Sequence, residues 1–311
     1  MSPPPPARPA DAARFVLDCR GRALDCGPGR AHVMGILNVT PDSFSDGGRH
    51  LDPSAALHRA EAMLEEGAVL IDVGGESTRP RGKAYGAGAA AVDADEEKRR
   101  VLPVIEAIAA RLPEALLSVD TYKGEVAGAA LAAGAHLVND VTGLRLGEGT
   151  ARAAAHYGAP LVVMHSLGQP GEMPHAHAYR DVVRDVKASL AAAVAKAEAA
   201  GVRDVVVDPG FGFGKTAREN LRLLAHTDAF LGLGRPVLVG ISRKSTIGAV
   251  LGSAKAPAHV DERLFGTLGA TAAAVLGGAA IVRTHDVGAT AEFLRVLTAT
   301  MAERAETEAV R

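Results

Sequence analysis

Polar and charged side chains recur along this chain at the ends of short apolar runs. The residues concerned are Asn38, Asp72, Asp120, Asn139, Asp140, His165, Asp208, the Ser-Arg-Lys-Ser segment 242–245, Arg283 and His285. A carboxylate that follows a buried apolar run is partly desolvated and needs hydrogen-bond donors or a cation. Together with Asn139, Asp120 and Asp208 would satisfy a flat ligand with several N–H groups, such as an aminopyrimidinone. Alternatively, each carboxylate forms a structural salt bridge with Lys244 or Arg283.

The chain also supplies cations that suit an anionic, aromatic ligand. The candidates are Arg79, Lys244 and Arg283, with Lys215 and Arg243 as further candidates. An arginine readily stacks its guanidinium on a flat heterocycle. His285 lies two residues after Arg283, so both side chains should leave one strand on the same side. With Asn38 and one Mg²⁺ ion, which needs only one or two protein oxygens beside those of phosphate, this pair would suit a diphosphate.

The Gly-Lys-Thr sequence at 214–216 resembles the end of a nucleotide-binding P-loop. The first glycine of that motif would fall at position 209, which is proline, so this segment does not predict nucleotide hydrolysis. The alternation of aromatic residues with glycine instead predicts a loop that carries Phe211 and Phe213 near the other polar residues. Phe44 is their expected counterpart in an earlier loop, and core packing is the alternative for Phe211.

Eight apolar, β-branched runs alternate with longer helical stretches. The runs cover residues 32–39, 69–75, 116–121, 137–141, 161–166, 205–210, 237–242 and 281–286. Helical composition is clearest at 53–66, 95–110, 180–200 and 261–276. This alternation is typical of parallel βαβ units, and eight of them favour a closed (β/α)₈ TIM barrel over an open sheet. The polar residues would then converge at the carboxyl ends of the strands, around one mouth.

Length, charge and cysteine content are consistent with a single intracellular domain. The 311 residues suit one α/β barrel, and the net charge of −2 provides no overall field for nucleic acid or a membrane surface. Only two cysteines, Cys19 and Cys26, are present, which favours a reducing, cytoplasmic compartment over a disulfide scaffold. Residues 1–14, with four consecutive prolines, are expected to form a short disordered extension, and 15–311 the barrel domain. The uncharged stretch 264–282 is rich in Ala, Gly and Thr and is expected to be buried core, not a membrane span.

In their order along the chain, the motifs resemble those of the dihydropteroate synthase family. The resemblance covers about residues 33–286 and rests on MGILNVTPDSFSDGG (34–48), IDVGGESTRP (71–80), SVDTYKGEVA (118–127), NDVTG (139–143), MH (164–165), DPGFGFGKT (208–216), GISRKSTIG (240–248) and RTHDV (283–287). It implies a transferase of folate biosynthesis and a target of sulfonamides. The reaction would condense (7,8-dihydropterin-6-yl)methyl diphosphate with 4-aminobenzoate into 7,8-dihydropteroate and diphosphate. It also implies a homodimer.

The resemblance assigns residues of this chain to three subsites. Those of the pterin pocket are Asp120, Asn139, Val141, Met164, Asp208, Gly240, Lys244 and Arg283, the last stacked on the ring. Those of the 4-aminobenzoate site are Phe44, Thr78, Arg79, Pro80, Phe213, Lys244 and Ser245. Those of the diphosphate site are Asn38, Thr78, Arg283 and His285, with Asn38 as the Mg²⁺ ligand. The catalytic residues would be Asp120, Asp208, Lys244, Arg283 and Asp46 in the first loop. A dissociative substitution is expected, without a covalent enzyme intermediate.

Two segments depart from the family pattern. After Pro80 a longer loop occupies residues 81–88, which affects the expected 4-aminobenzoate side and the response to sulfonamides. After His165 the usual Met-Gln-Gly is replaced by Ser-Leu-Gly-Gln-Pro at 166–170. The alternatives are a methyltetrahydrofolate–corrinoid methyltransferase-like barrel and a catalytically inactive paralogue. Such a paralogue should have lost Asn38, Arg79 or Lys244, all of which are present.

Overall fold

The structure, a computed structural model, describes residues 15–40, 53–76, 92–168 and 179–309. It begins with an antiparallel hairpin, β1 (Val16–Asp18) and β2 (Ala23–Asp25), which the sequence did not predict. Eight parallel strands follow: β3 (His32–Asn38), β4 (Leu70–Gly74), β5 (Leu116–Asp120), β6 (Leu137–Asp140), β7 (Leu161–Met164), β8 (Val205–Asp208), β9 (Val237–Val239) and β10 (Ala279–Thr284). They close into a barrel in which β10 pairs with both β3 and β9, confirming the predicted (β/α)₈ architecture. The expected extension at 1–14 lies outside the described residues.

Helices surround the barrel. They are α1 (Pro53–Glu65), α2 (Ala94–Arg111), α3 (Gly124–Ala132), α4 (Gly149–Tyr157), α5 (Val182–Ala199), α6 (Ala217–Ala225), α7 (Asp228–Leu231), α8 (Ser245–Leu251), α9 (Leu264–Leu276) and α10 (Val287–Ala309), with a 3-10 helix at Val260–Arg263. The uncharged stretch 264–282 divides into α9 and the start of β10. The expectation of buried core holds for β10 and one side of α9, whereas Phe265 and Leu276 of α9 are exposed. Among the described residues, no helix is both long enough and apolar enough to cross a bilayer.

The barrel interior changes from apolar to polar along the strands. Its lower layer packs as one buried cluster of Met34, Leu70, Leu116, Leu137, Val162, Val206, Leu238 and Ile281. The hairpin closes this end, because Leu17, Cys19, Leu24 and Cys26 pack against the same cluster. Both cysteines are free and buried, and burial raises the pKa of each thiol to about 12.

The strand period of two determines what lies above that apolar layer. Two residues after Leu70, Leu137, Val206 and Ile281 come Asp72, Asn139, Asp208 and Arg283. In the strand register, Asp120 pairs with Asn139 and Met164 with Asp208, which adds Asp120 and Met164 to the same end of the barrel. Apolar side chains therefore fill the lower part of the barrel, and polar side chains surround its mouth.

Candidate active site

Arg283 crosses the mouth of the barrel. It leaves β10, yet its guanidinium reaches β4 and β5, neither of which is a neighbour of that strand. Its Nε donates to Asp72 Oδ2 at 2.6 Å, and a terminal nitrogen donates to Asp120 Oδ2 at 2.7 Å. Asn139 Nδ2 donates to the same Asp72 oxygen at 2.9 Å. Four polar residues that are far apart in sequence therefore form one hydrogen-bonded group.

Asp72 is the residue whose role sequence reasoning missed. From sequence it belonged to the set of polar residues near strand ends, but it was not assigned to any subsite. In the structure it accepts hydrogen bonds from both Arg283 and Asn139. The carboxylate is fully buried, and its second oxygen, Oδ1, has no hydrogen-bond partner among the described residues. Its signal in the sequence was an aspartate in the middle of the otherwise apolar strand Leu70–Gly74. Such a residue is costly to bury unless it faces a cation, here Arg283.

The two predicted catalytic carboxylates have different surroundings. Burial raises the pKa of Asp120, the Arg283 guanidinium opposes this, and the Asp72 charge adds to it. Burial also raises the pKa of Asp208, which is opposed by the backbone N–H of Gly210 at 2.7 Å from Oδ1 and by the charge of Lys244. The expected alternative of a structural ion pair with Arg283 is thus present at Asp120, whereas Asp208 accepts a backbone hydrogen bond.

Lys244 precedes α8 and points into the loop that follows β8. Its Nζ donates to the carbonyl of Phe211 and lies 3.9 Å from the centroid of the Phe213 ring. A Cβ at Gly212, whose φ is +84°, would lie 2.4 Å from Lys244 Cδ, so a side chain there would displace Lys244. Burial lowers the pKa of Lys244 to about 7, and the Asp208 carboxylate opposes that shift. Phe211 itself packs in the main core, which matches the alternative considered for it.

His285 and Asn38 border the mouth on adjoining strands. The backbone N–H of His285 donates to Ser242 Oγ at 3.2 Å, and the imidazole Nδ1 lies 3.0 Å from the same hydroxyl oxygen. Asn38 ends β3, opposite Gly74 of β4, and is half-buried. Arg243 pairs instead with Asp286, with 2.9 Å between Nε and Oδ2, so its charge is already partnered.

Some of the remaining predicted site residues lie within the described ranges of the structure, and the others lie outside them. Val141 and Met164 are buried at the ends of β6 and β7. Gly240 follows β9, where a Cβ would lie 3.9 Å from Arg283 Cβ, and Ser245 is half-buried at the start of α8. Phe44, Asp46, Thr78, Arg79 and Pro80 lie outside the described residues.

A buried ionic cluster, also missed from sequence, lies beside the loop that follows β4. The ammonium of Lys123 contacts the carboxylates of both Glu76 and Glu97, which are 7% and 1% exposed. Glu76 also accepts a hydrogen bond from the backbone N–H of Val92 at 3.3 Å. The two borders of segment 77–91 are therefore tied together by the side chain of Glu76.

Comparison with known proteins agrees with this arrangement. A family model described as "Pterin binding enzyme" matches residues 34–285. The dihydropteroate synthase of Escherichia coli (strain K12) is 44% identical over 290 residues, which cover 93% of this chain and 97% of that protein. The solved dihydropteroate synthase of Xanthomonas albilineans with 4-aminobenzoic acid is 45% identical, with a TM-score of 0.82, and the match covers 93% of this chain and 99% of that one. The same organism's enzyme in complex with 7,8-dihydropteroate matches with 43% identity, a TM-score of 0.78 and coverage of 93% and 99%. The chain therefore belongs to the pterin-binding enzyme family and, within it, to the dihydropteroate synthases.

Proposed function

We propose that the chain condenses (7,8-dihydropterin-6-yl)methyl diphosphate with 4-aminobenzoate, giving 7,8-dihydropteroate and diphosphate. The observation that carries this proposal is the group formed by Arg283, Asp72, Asp120 and Asn139 across the barrel mouth. It combines a planar cation with amide and carboxylate groups, which is what recognition of a pterin requires. Two structures of the Xanthomonas albilineans relative, one with 4-aminobenzoic acid and the other with 7,8-dihydropteroate, support the same assignment.

The pterin would lie against the Arg283 guanidinium. Its hydrogen bonds to Asp72 and Asp120 use the edge of the guanidinium, so a face is available for stacking. The amino and ring N–H groups would donate to Asp120 and Asp208, and the pterin carbonyl would accept from Lys244. Asn139 supplies a further amide, while Val141, Met164 and Gly240 complete the pocket.

The diphosphate would lie between Asn38 and His285. The side-chain oxygen of Asn38 fits a Mg²⁺ ion, because this ion needs only one or two protein oxygens and would take its other ligands from water and phosphate. When bound, the ion would neutralise charge on the departing oxygens. Arg283 and His285 would bind the same oxygens, with Thr78 and Asp46 contributed by their loops.

The reaction would begin with cleavage of the C–O bond, whose electron pair leaves with diphosphate. The methylene carbon then carries positive charge that the electron-rich pterin shares, and the carboxylates of Asp120 and Asp208 stabilise this charge electrostatically. The lone pair of the arylamine forms the new C–N bond, and the nitrogen then loses a proton to water. No side chain is needed as a strong base, because the amine of an arylamine is largely unprotonated at neutral pH.

The 4-aminobenzoate would approach from the side of Lys244. The Lys244 ammonium would pair with the carboxylate, Ser245 would donate to it, and Phe213 would pack on the ring. Phe44, Thr78, Arg79 and Pro80 would complete this site from the loops after β3 and β4.

Assembly as a homodimer in the cytoplasm is part of the proposal. Large apolar side chains are exposed on the flank formed by α8, α9 and α10, namely Val250, Leu251, Phe265, Leu276 and Val296. Phe265 is 84% exposed, and a second copy of the chain would bury it. Two free, buried thiols are consistent with a reducing compartment.

Product identification tests the proposed function. The purified chain is incubated with Mg²⁺ and both substrates, and the mass of the product is measured. We expect 7,8-dihydropteroate. Absence of that product would contradict the proposal, and methyl transfer from methyltetrahydrofolate to a corrinoid in a separate incubation would support the methyltransferase alternative instead.

A further inference from the structure

The lysine of the P-loop-like segment, Lys215, has a different task from binding phosphate. Its Nζ donates to three backbone carbonyls: Gly210 at 2.8 Å, Phe213 at 3.0 Å and His165 at 3.3 Å. An ammonium has three N–H donors, so all of them are used within the protein. Thr216, the next residue, caps α6 through a capping box with Glu219.

The three carbonyls belong to two loops at the barrel mouth. His165 directly follows β7, whereas Gly210 and Phe213 lie in the loop after β8. These loops touch so closely that a Cβ at Gly210, whose φ is +70°, would lie 1.8 Å from the His165 carbonyl oxygen. The same Cβ would lie 3.2 Å from Lys215 Nζ. Lys215 therefore joins two backbone segments at the point where glycine lets them meet.

The loop that Lys215 holds is the one that shapes the surroundings of Lys244. Phe211 of this loop accepts the Lys244 hydrogen bond, and Phe213 presents its ring to the same ammonium. The Phe213 carbonyl is bound by Lys215 while the Phe213 ring faces Lys244. Lys215 thus fixes the backbone of Phe213, and the Phe213 ring contacts Lys244.

A cation at this position is costly. Burial lowers the pKa of Lys215 to about 7, with Asp208 and Glu219 opposing the shift and the Lys244 charge adding to it. Within the described part of the chain, its hydrogen bonds go to carbonyl oxygens and none to a carboxylate. A neutral apolar side chain would fill the same volume at lower desolvation cost, so the donors are what the position requires.

We propose that Lys215 is a positioning residue for the second substrate: it holds the loop after β8 so that Phe213 and Lys244 face the 4-aminobenzoate ring and carboxylate. This inference rests on the proposed function, because it concerns a subsite of that reaction. Lys215 touches neither substrate. Its effect should therefore be larger for 4-aminobenzoate, which packs on Phe213, than for the pterin, which shares Lys244 but is also bound by Asp120, Asn139 and Arg283.

The test compares Lys215→Met, Lys215→Arg and Lys196→Met in the full chain, the last being an exposed lysine on α5 as the control. For Lys215→Met we expect KM for 4-aminobenzoate to rise by about tenfold or more, with a clearly smaller rise, of about threefold or less, in KM for the pterin diphosphate, and kcat changed by less than about twofold. Lys215→Arg, which retains N–H donors, should recover part of this loss, and Lys196→Met should match the unmodified chain.

A second comparison isolates the route through Phe213. In a Phe213→Ala background, Lys215→Met should raise KM for 4-aminobenzoate by less than about twofold, because the two residues act through one loop. Equal changes in KM for both substrates, or unchanged KM values, would overturn the positioning role. If Lys215→Met does not fold, Lys215→Gln, which keeps two N–H donors, replaces it. Its KM for 4-aminobenzoate should then be intermediate, and an unchanged KM would overturn the positioning role. Failure of the unmodified chain to make product would instead refute the proposed function.

Discussion

Arg283 and Asp72 lie 211 positions apart in the sequence and meet across the barrel mouth, with 2.6 Å between Nε and Oδ2. This contact orients the guanidinium, because Asp120 holds a second nitrogen of the same group. A stacking surface for a flat ring depends on such orientation, since an unpaired arginine would sample many rotamers.

Replacing Asp72 should therefore weaken pterin binding. Asp72→Asn keeps the size of the side chain but removes the charge that faces Arg283. We expect KM for the pterin diphosphate to rise by roughly tenfold, equivalent to about 1.4 kcal/mol, and KM for 4-aminobenzoate to change little. Steady-state kinetics measures both constants. Asp228→Asn, at an exposed position on α7, is the control, and an effect on 4-aminobenzoate alone would refute the role given to Asp72.

Arg283 should be intolerant of lysine as well as of alanine. Arg283→Lys preserves the charge but lacks the planar face and cannot bridge both carboxylates. We expect each variant to lose at least about tenfold in pterin affinity, and considerably less in 4-aminobenzoate affinity. Calorimetric titration with each ligand separates the two effects. Full activity of Arg283→Lys would show that charge alone is sufficient there.

Binding of 4-aminobenzoate should depend on pH through Lys244. Because the pKa of Lys244 is lowered to about 7, its ammonium is charged below that pH and increasingly neutral above it. A carboxylate ligand needs the charged form, so KM for 4-aminobenzoate should rise as pH increases above neutrality, by up to about tenfold per pH unit. In Lys244→Met this dependence should disappear while KM is raised at every pH. A pH-independent KM in the unmodified chain would rule out this titration.

Gly210 should be essential to the stability of the loop after β8. Gly210→Ala combines a positive φ with a Cβ only 1.8 Å from the His165 carbonyl oxygen. We expect the free energy of unfolding to fall by roughly 3 kcal/mol, measured by denaturant titration. Gly234→Ala has a similar φ of +67° with no atom within 4 Å, so it should cost only about 1 kcal/mol. Equal losses in the two variants would mean that the contact with His165 is unimportant.

Periodic features of the sequence were sufficient to predict the barrel and most of the polar mouth. Alternation of apolar runs with helical stretches identified all eight strands of the barrel. Strand ends were less accurate: the last strand was expected at 281–286 and is Ala279–Thr284. The hairpin Val16–Asp25 was missed because two strands of three residues carry too little pattern.

The sequence indicated which residues belong to the site better than it indicated which of them contact each other. The pairing of Arg283 with Asp72 depends on closure of the barrel, which pairs β10 with β3 and so places it two strands from β4; local spacing shows no sign of this. Lys215 was a further candidate cation for the anionic ligand, but its ammonium is buried and donates to three backbone carbonyls, which local sequence does not indicate. Local sequence indicates which side chains are polar, whereas their partners follow from the closed fold.

Diphosphate release is the most direct test of the central claim. It is measured with the purified chain, Mg²⁺, the pterin diphosphate and 4-aminobenzoate, and again with each substrate omitted in turn. We predict one diphosphate released for each 7,8-dihydropteroate formed, with release requiring both substrates. Absence of release when both are present, or release at the same rate without 4-aminobenzoate, would contradict the account.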